Sequence, residues 1–215
     1  LVPENLPKIK SLIPLLPWII MNDTSVKEIA TTIFLDIINE HIDVDDTRIE
    51  LQNNQGIDTL LYLLETSNHK ENIIASLVTW AARDSALIGS ELIKHIETVV
   101  EIVKTVFEED LQIHQAPFAN NFLEICDRCC DFTQKLEEVG FANFIVNKLI
   151  SDDYKDNAEL RKAFLLFILS ILQSSQNPEM IREKCNLEYV GNKFLNDSSM
   201  PVKNLAAELL QSIRT

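Results

Sequence analysis

Cys126, Cys129 and Cys130 fall within little more than one helical turn, and Cys185 stands apart further along the chain. Thiols at such close spacing could suggest zinc. Structural zinc takes four converging ligands, usually from loops or from two elements. A single helix presents at most two or three of these sulfurs together, and Cys185 belongs to a different part of the chain. The spacing is also poor for a disulfide framework. The reading is of buried free thiols in a reducing compartment, so an intracellular location, cytoplasmic or nuclear, is expected. His41, His69, His95 and His114 are scattered without ligand spacing. The carboxylate clusters Asp43-Asp45-Asp46, Glu108-Glu109-Asp110 and Asp152-Asp153 fall in polar links. The first resembles part of a calcium loop but lacks its glycine and terminal glutamate. No nucleophile elbow, phosphate-cradling glycine loop or zinc-protease pattern is present. No catalytic, metal or cofactor site assembles, and the chain is read as a non-enzyme.

Composition narrows the class. The chain has 215 residues, 46% hydrophobic, with four glycines and a formal net charge of −14. That apolar content supports a large core. The negative surface disfavours nucleic-acid phosphates and anionic membranes and favours basic partners. No apolar run reaches the ~18 residues of a membrane span. The best candidate, Leu12 to Met21, is interrupted by Pro14 and Pro17. The first residue is Leu1, so a domain cut from a longer protein is expected.

The residues that could bind must be placed by helices. Ile57, Leu60, Leu61, Leu63 and Leu64, then Ile73, Ile74, Leu77, Val78, Ala81 and Ala82, repeat with helical period on either side of a short polar link. Two such helices lie antiparallel and share one apolar seam, but a second apolar flank stays uncovered. Similar pairs are read along the chain. Leu1 to Pro7 is a lead-in. A helix from Lys8 to Met21, bent or restarted at a proline, pairs with Val26 to Asn39, whose Ile29, Ile33, Phe34 and Ile37 are expected to face inward. Ser90 to Phe107, after a break near Gly89, pairs with Phe118 to Thr133 beyond a loop ended by Pro117, and Leu123 and Cys130 are expected in its core. Phe141 to Ile150 pairs with Ala158 to Gln173, and Leu187 to Leu195 with Val202 to Ile213. Short connector helices are expected at Thr47 to Asn53, Lys135 to Val139 and Glu179 to Cys185.

Corresponding residues of the second helices are Asp36, Trp80, Arg128, Ser170 and Ser212, spaced 80−36 = 44, 128−80 = 48, 170−128 = 42 and 212−170 = 42. These approach the ~40–47-residue period of helical repeats. Gly56-Ile57 through Leu64, then Ile73 to Ala82, resembles an armadillo repeat, as does Val139-Gly140-Phe141 through Leu172. Pro14 to Ile38, Ile93 to Cys130 and Leu187 to Ile213 resemble weaker copies, and the connector helices favour armadillo over HEAT. The resemblance implies an all-α, right-handed α-α superhelix of about five irregular armadillo-like repeats, with residues 1–215 forming a single repeat domain.

It also implies a use. In that family the last helix of each repeat lines a concave groove, often with Asn at the groove position and Trp one turn earlier, as in nuclear-import adaptors. The matching positions here are Asp36, Trp80, Arg128, Ser170 and Ser212, and one turn earlier Thr32, Ser76, Glu124, Leu166 and Glu208. No Asn or Trp ladder is present, so import-signal binding is not implied. The groove residues expected to meet a partner are Thr32, Asp36, Ser76, Trp80, Glu124, Arg128 and Ser170. Trp80 is either a binding anchor or an inter-repeat packing residue, and Arg128 either meets a partner carboxylate or pairs with Glu124. The function implied is a non-catalytic scaffold or adaptor that binds a peptide or helical segment of a protein partner, basic in character. A co-chaperone that clamps an Hsp70-type ATPase domain as a nucleotide exchange factor is the alternative. Self-association through the terminal repeats is expected if their outer sides are apolar.

Overall fold

The computed structural model describes residues 10–108 and 112–214, the side chains of 112–114 excepted. The expected lead-in Leu1 to Pro7, the acidic residues Glu109 and Asp110, and the side chain of His114 lie outside the described residues. No strand occurs among those described. The chain divides into two compact units, Leu1–Glu91 and Leu92–Thr215.

In the first unit, α1 (Leu16–Asn22) restarts after a turn at residues 13–15, with Pro17 in its first turn. Proline is tolerated there because the first-turn amides have no intrahelical partner. The expected bend at the prolines is thus a break and restart. A short link leads to α2 (Lys27–His41). Then come the connector α3 (Asp45–Asn53) and the pair α4 (Gly56–Thr66) and α5 (Lys70–Ala81). The first pair lies on the second: α1 packs on α4, and α2 on α5. Ile29 and Ile33, expected inward, are exposed instead, while Phe34, Ile37 and Ile38 are buried. Among the described residues α2 is covered on one side only, and these two isoleucines fall outside that arc.

Helix α6 (Ser85–Lys94) runs unbroken through Gly89, and the break falls at His95. A lone interior glycine costs a helix only ~1 kcal/mol, less than the burial of Ile88 and Leu92 around it returns. The second unit continues with α7 (Ile96–Glu108) and α8 (Gln112–Arg128). Pro117, expected to end a loop, lies inside α8 near its start. The helix expected to run to Thr133 stops at Arg128, and α9 (Cys130–Glu138) begins a longer connector. Thr133 explains the break: its hydroxyl donates to the carbonyls of Cys126 at 2.6 Å and Cys129 at 3.3 Å, satisfying acceptors at the end of α8. Cys130 consequently emerges into solvent and Leu123 is only half-buried, where both were expected in the core.

The remaining elements are α10 (Phe141–Ile150), a 3-10 turn at Asp152–Tyr154, α11 (Ala158–Ser174), the connector α12 (Pro178–Lys184), α13 (Leu187–Phe194) and α14 (Met200–Ser212). Each first helix meets its second: α7 with α8, α10 with α11, α13 with α14. The second helices also stack, α8 on α11 and α11 on α14. A left-handed residue directly precedes α4, α10 and α13: Gln55 (φ 61°), Gly140 (φ 73°) and Asn186 (φ 47°). This is the same position in three repeats, where the chain turns from connector into first helix.

Rings fill the second unit. Phe107 meets Phe164 edge-on at 5.2 Å, Phe122 meets Phe141 at 5.8 Å, and Phe141 meets Phe167 at 5.9 Å. Such edge-to-face pairs add to the burial that holds the helices together. The Tyr154 ring packs edge-on to Phe164, and its hydroxyl donates to the carbonyl of Phe107.

One charge lies inside this core. Arg161 of α11 has a side chain 4% exposed, and its partner Asp197 is 8% exposed. The pairing is bidentate, Nε to Oδ2 at 2.9 Å and Nη2 to Oδ1 at 3.0 Å. Arg161 Nη1 donates to the carbonyls of Tyr154, at 2.7 Å, and Lys155. The amide of Ser199 donates to Asp197 Oδ1 at 2.8 Å. The guanidinium therefore ties the link after α10 to the link after α13. Burial alone would raise the Asp197 pKa. The Arg161 hydrogen bonds, the Ser199 amide and the charges of Arg161 and Lys203 outweigh it and hold the carboxyl below its ordinary 3.8. Asp197→Ala is expected to cost ~3–5 kcal/mol, because the buried guanidinium loses its counter-charge. A carboxyl with a lowered folded-state pKa contributes stability above its ordinary value and loses it as pH falls through the folded value. Urea titrations should therefore show the gap between wild type and Asp197→Ala narrowing as pH drops below 3.8.

Candidate functional site

Thr32 and Asp36 stand exposed on α2, and the Thr32 hydroxyl donates to the Glu28 carbonyl at 3.0 Å. The corresponding residues of α5 do not reach solvent. Ser76 is wholly buried and donates to Asn39 Oδ1 of α2 at 3.0 Å and to the Asn72 carbonyl at 3.1 Å. Trp80 is 0% exposed. A Cβ added to Gly56 would lie 2.9 Å from the Trp80 ring and 2.7 Å from the Leu51 carbonyl, so that glycine makes room for both. Trp80 therefore packs inside the first unit and presents no exposed surface. Ser76, one turn earlier on α5, is likewise shut off from solvent.

The second unit brings its expected residues together. Arg128 Nη2 and Nε approach Glu124 Oε1 at 2.6 and 3.1 Å, closing the i, i+4 pair along α8. Ser170 Oγ of α11 donates to Asp127 Oδ1 of α8 at 3.0 Å. Glu124, Asp127, Arg128 and Ser170 thus form one polar surface across two stacked second helices, with Asp127 and Arg128 exposed and Glu124 and Ser170 half-buried. Asp127 is not among the residues that the repeat register singles out. Its signal is nonetheless present in the spacing, since 170−127 = 43 is one repeat.

The four thiols occupy unlike environments. Burial pushes the Cys126 thiol far above the usual range, more than the Thr133 hydroxyl beside it can offset. Burial also raises Cys185, whose Sγ donates to Asn143 Oδ1 of α10 at 3.1 Å. Cys129 is buried and Cys130 exposed. Beside Cys185, a cleft of about 110 Å³ is lined by Glu137, Gly140, Asn143, Ile181 and Lys184. Sites for small-molecule substrates start at roughly 300 Å³.

No family model and no curated protein matches this chain. Solved structures do. An engineered protein from a structural genomics consortium shares 15% identity at a TM-score of 0.69, over 97% of this chain and 83% of that one. A second engineered protein shares 16% at 0.69, over 94% of this chain and 48% of that one. A designed armadillo repeat protein shares 18% at 0.66, over 96% and 86%. The chain has the armadillo-like helical-repeat fold. No described helix is long and apolar enough to cross a membrane.

Because thiols buried from solvent are shielded from reagent, Cys130, the exposed one, is expected to react with a disulfide reagent in the native protein. The other three thiols should titrate only on unfolding, which a count of released chromophore in buffer and in denaturant will check.

Proposed function

We propose that this chain is a non-catalytic protein-interaction scaffold that takes a peptide or helical segment of a partner protein along its second helices. The observation that carries the reading is the surface of Glu124, Asp127, Arg128 and Ser170, continuous across α8 and α11 and joined by a hydrogen bond between repeats. A peptide lying across stacked helices meets side chains presented at a fixed spacing, and the carboxylates of Glu124 and Asp127 are charge-assisted acceptors for basic groups on it. Thr32 and Asp36 offer the same positions in the first unit. Two carboxylates against one guanidinium on the α8 surface, within a chain of net charge −14, favour a basic segment. Burial of Trp80 and Ser76 shifts the weight of recognition from aromatic anchoring to polar contacts. Four cysteines, none in a disulfide, fit a reducing setting such as cytoplasm or nucleus.

The test is selection of displayed random peptides on the wild-type chain, followed by affinity measurement on Asp127→Ala/Arg128→Ala. Loss of about tenfold or more, near 1.4 kcal/mol, with an unchanged melting curve, is the expected result. Equal binding to wild type and variant would remove this surface from the function.

A further inference from the structure

The first hairpin is apolar on both sides. Leu16, Pro17 and Ile20 of α1, with Ala30, Phe34, Ile37 and Ile38 of α2, are buried. On the opposite side Leu15 is 56% exposed, Trp18 65%, Ile29 65% and Ile33 37%. Large apolar side chains grouped this way mark a docking surface more often than a solvated face. Along α2 the positions 26, 29, 33, 36 and 40 form one stripe. Val26, Ile29 and Ile33 make it apolar, then Asp36 and Glu40 make it acidic, all five exposed. α1 is short, so its Trp18 and the Leu15 that precedes it accompany only the apolar half. Lys27, at the start of α2, is turned aside: its ammonium sits 4.6 Å from the centre of the Tyr62 ring and 3.3 Å from the Tyr62 hydroxyl.

These features select among occupants. The outer side of α14 carries exposed Asn204, Glu208 and Gln211. A second copy stacked head to tail would therefore bring a carboxylate and no base from that stripe to Asp36 and Glu40. A second copy paired face to face about a two-fold axis would bring this same stripe, which holds no base, to Asp36 and Glu40. We infer that the outer face of the α1–α2 hairpin binds an amphipathic helix of another protein, one whose apolar stripe meets Leu15, Trp18, Ile29 and Ile33 and whose Lys or Arg residues at one end meet Asp36 and Glu40. This surface shares Asp36 with the second-helix positions of the first unit but no residue with the α8–α11 face, so either can fail without the other.

The two tryptophans make the test direct, since Trp18 is exposed and Trp80 is buried. The probe is a synthetic amphipathic peptide of about five turns, with leucines on one face and lysines grouped at one end. A second peptide with glutamates replacing the lysines is the control. Expected are a blue shift of emission, protection from acrylamide, and affinity about tenfold lower at high salt. The response should vanish in Trp18→Phe and in Ile29→Asp. Asp36→Lys/Glu40→Lys should come to prefer the glutamate peptide, with circular dichroism unchanged. Several results would overturn the inference: no shift with the lysine peptide, equal response to both peptides, or a shift that survives Ile29→Asp. So would concentration-dependent dimerisation without peptide, a shift on phosphatidylcholine vesicles, or a Trp18 already shielded from acrylamide in the free chain.

Discussion

A helical hairpin with apolar residues on two sides has no stable existence alone, and the architecture of this chain answers that constraint. In the first unit α4 and α5 cover one side of α1 and α2. In the second, α11 is covered by α8, α10 and α14, and its centre is apolar all round because it meets neighbours on nearly every side. Hydrophobic burial is non-directional, so it stacks the hairpins without setting their register. Direction comes from the polar contacts at the edges.

Those contacts carry the repeat period. Arg83 bonds Asp43, Ser76 bonds Asn39, Ser170 bonds Asp127, Ser175 bonds Glu137 and Cys185 bonds Asn143. Each joins a residue to one about a repeat earlier, with separations from 37 to 43 residues. Most are exposed or half-buried, so each contributes little stability by itself. Their effect is to penalise a slipped register, in which every pair would be lost together. The buried Arg161–Asp197 pair differs in kind, because it joins two inter-helix links and excludes water.

Much of this is legible in the sequence. Helical periodicity marks the five helix pairs, and the spacing of second-helix residues marks the stacking that places Ser170 beside α8. Legibility ends where tertiary contact decides. Trp80 reads equally as anchor or packing from sequence, and only the approach of Gly56 to its ring resolves it. Ile29 and Ile33 match a core stripe by spacing, yet among the described residues this hairpin has a neighbour on one side only. Periodicity finds both apolar sides and cannot say which one is covered. The break at Cys129 is hidden because Thr133, which takes up the freed carbonyls, is an ordinary helix residue by composition. Asp197 reads as one more solvated link carboxylate, since nothing near it in sequence announces a guanidinium thirty-six residues earlier.

The left-handed residues before α4, α10 and α13 bear on how such a chain can change its length. A backbone reversed at a fixed point insulates the helices on its two sides from one another. Connectors α3, α9 and α12 run to nine, nine and seven residues, and each ends at or within two residues of such a point. Insertions and deletions can accumulate in these segments while the paired helices keep their seating. The uneven spacing along the chain then belongs to the hinges between repeats, and the stacked layers remain free to be recombined as whole pieces.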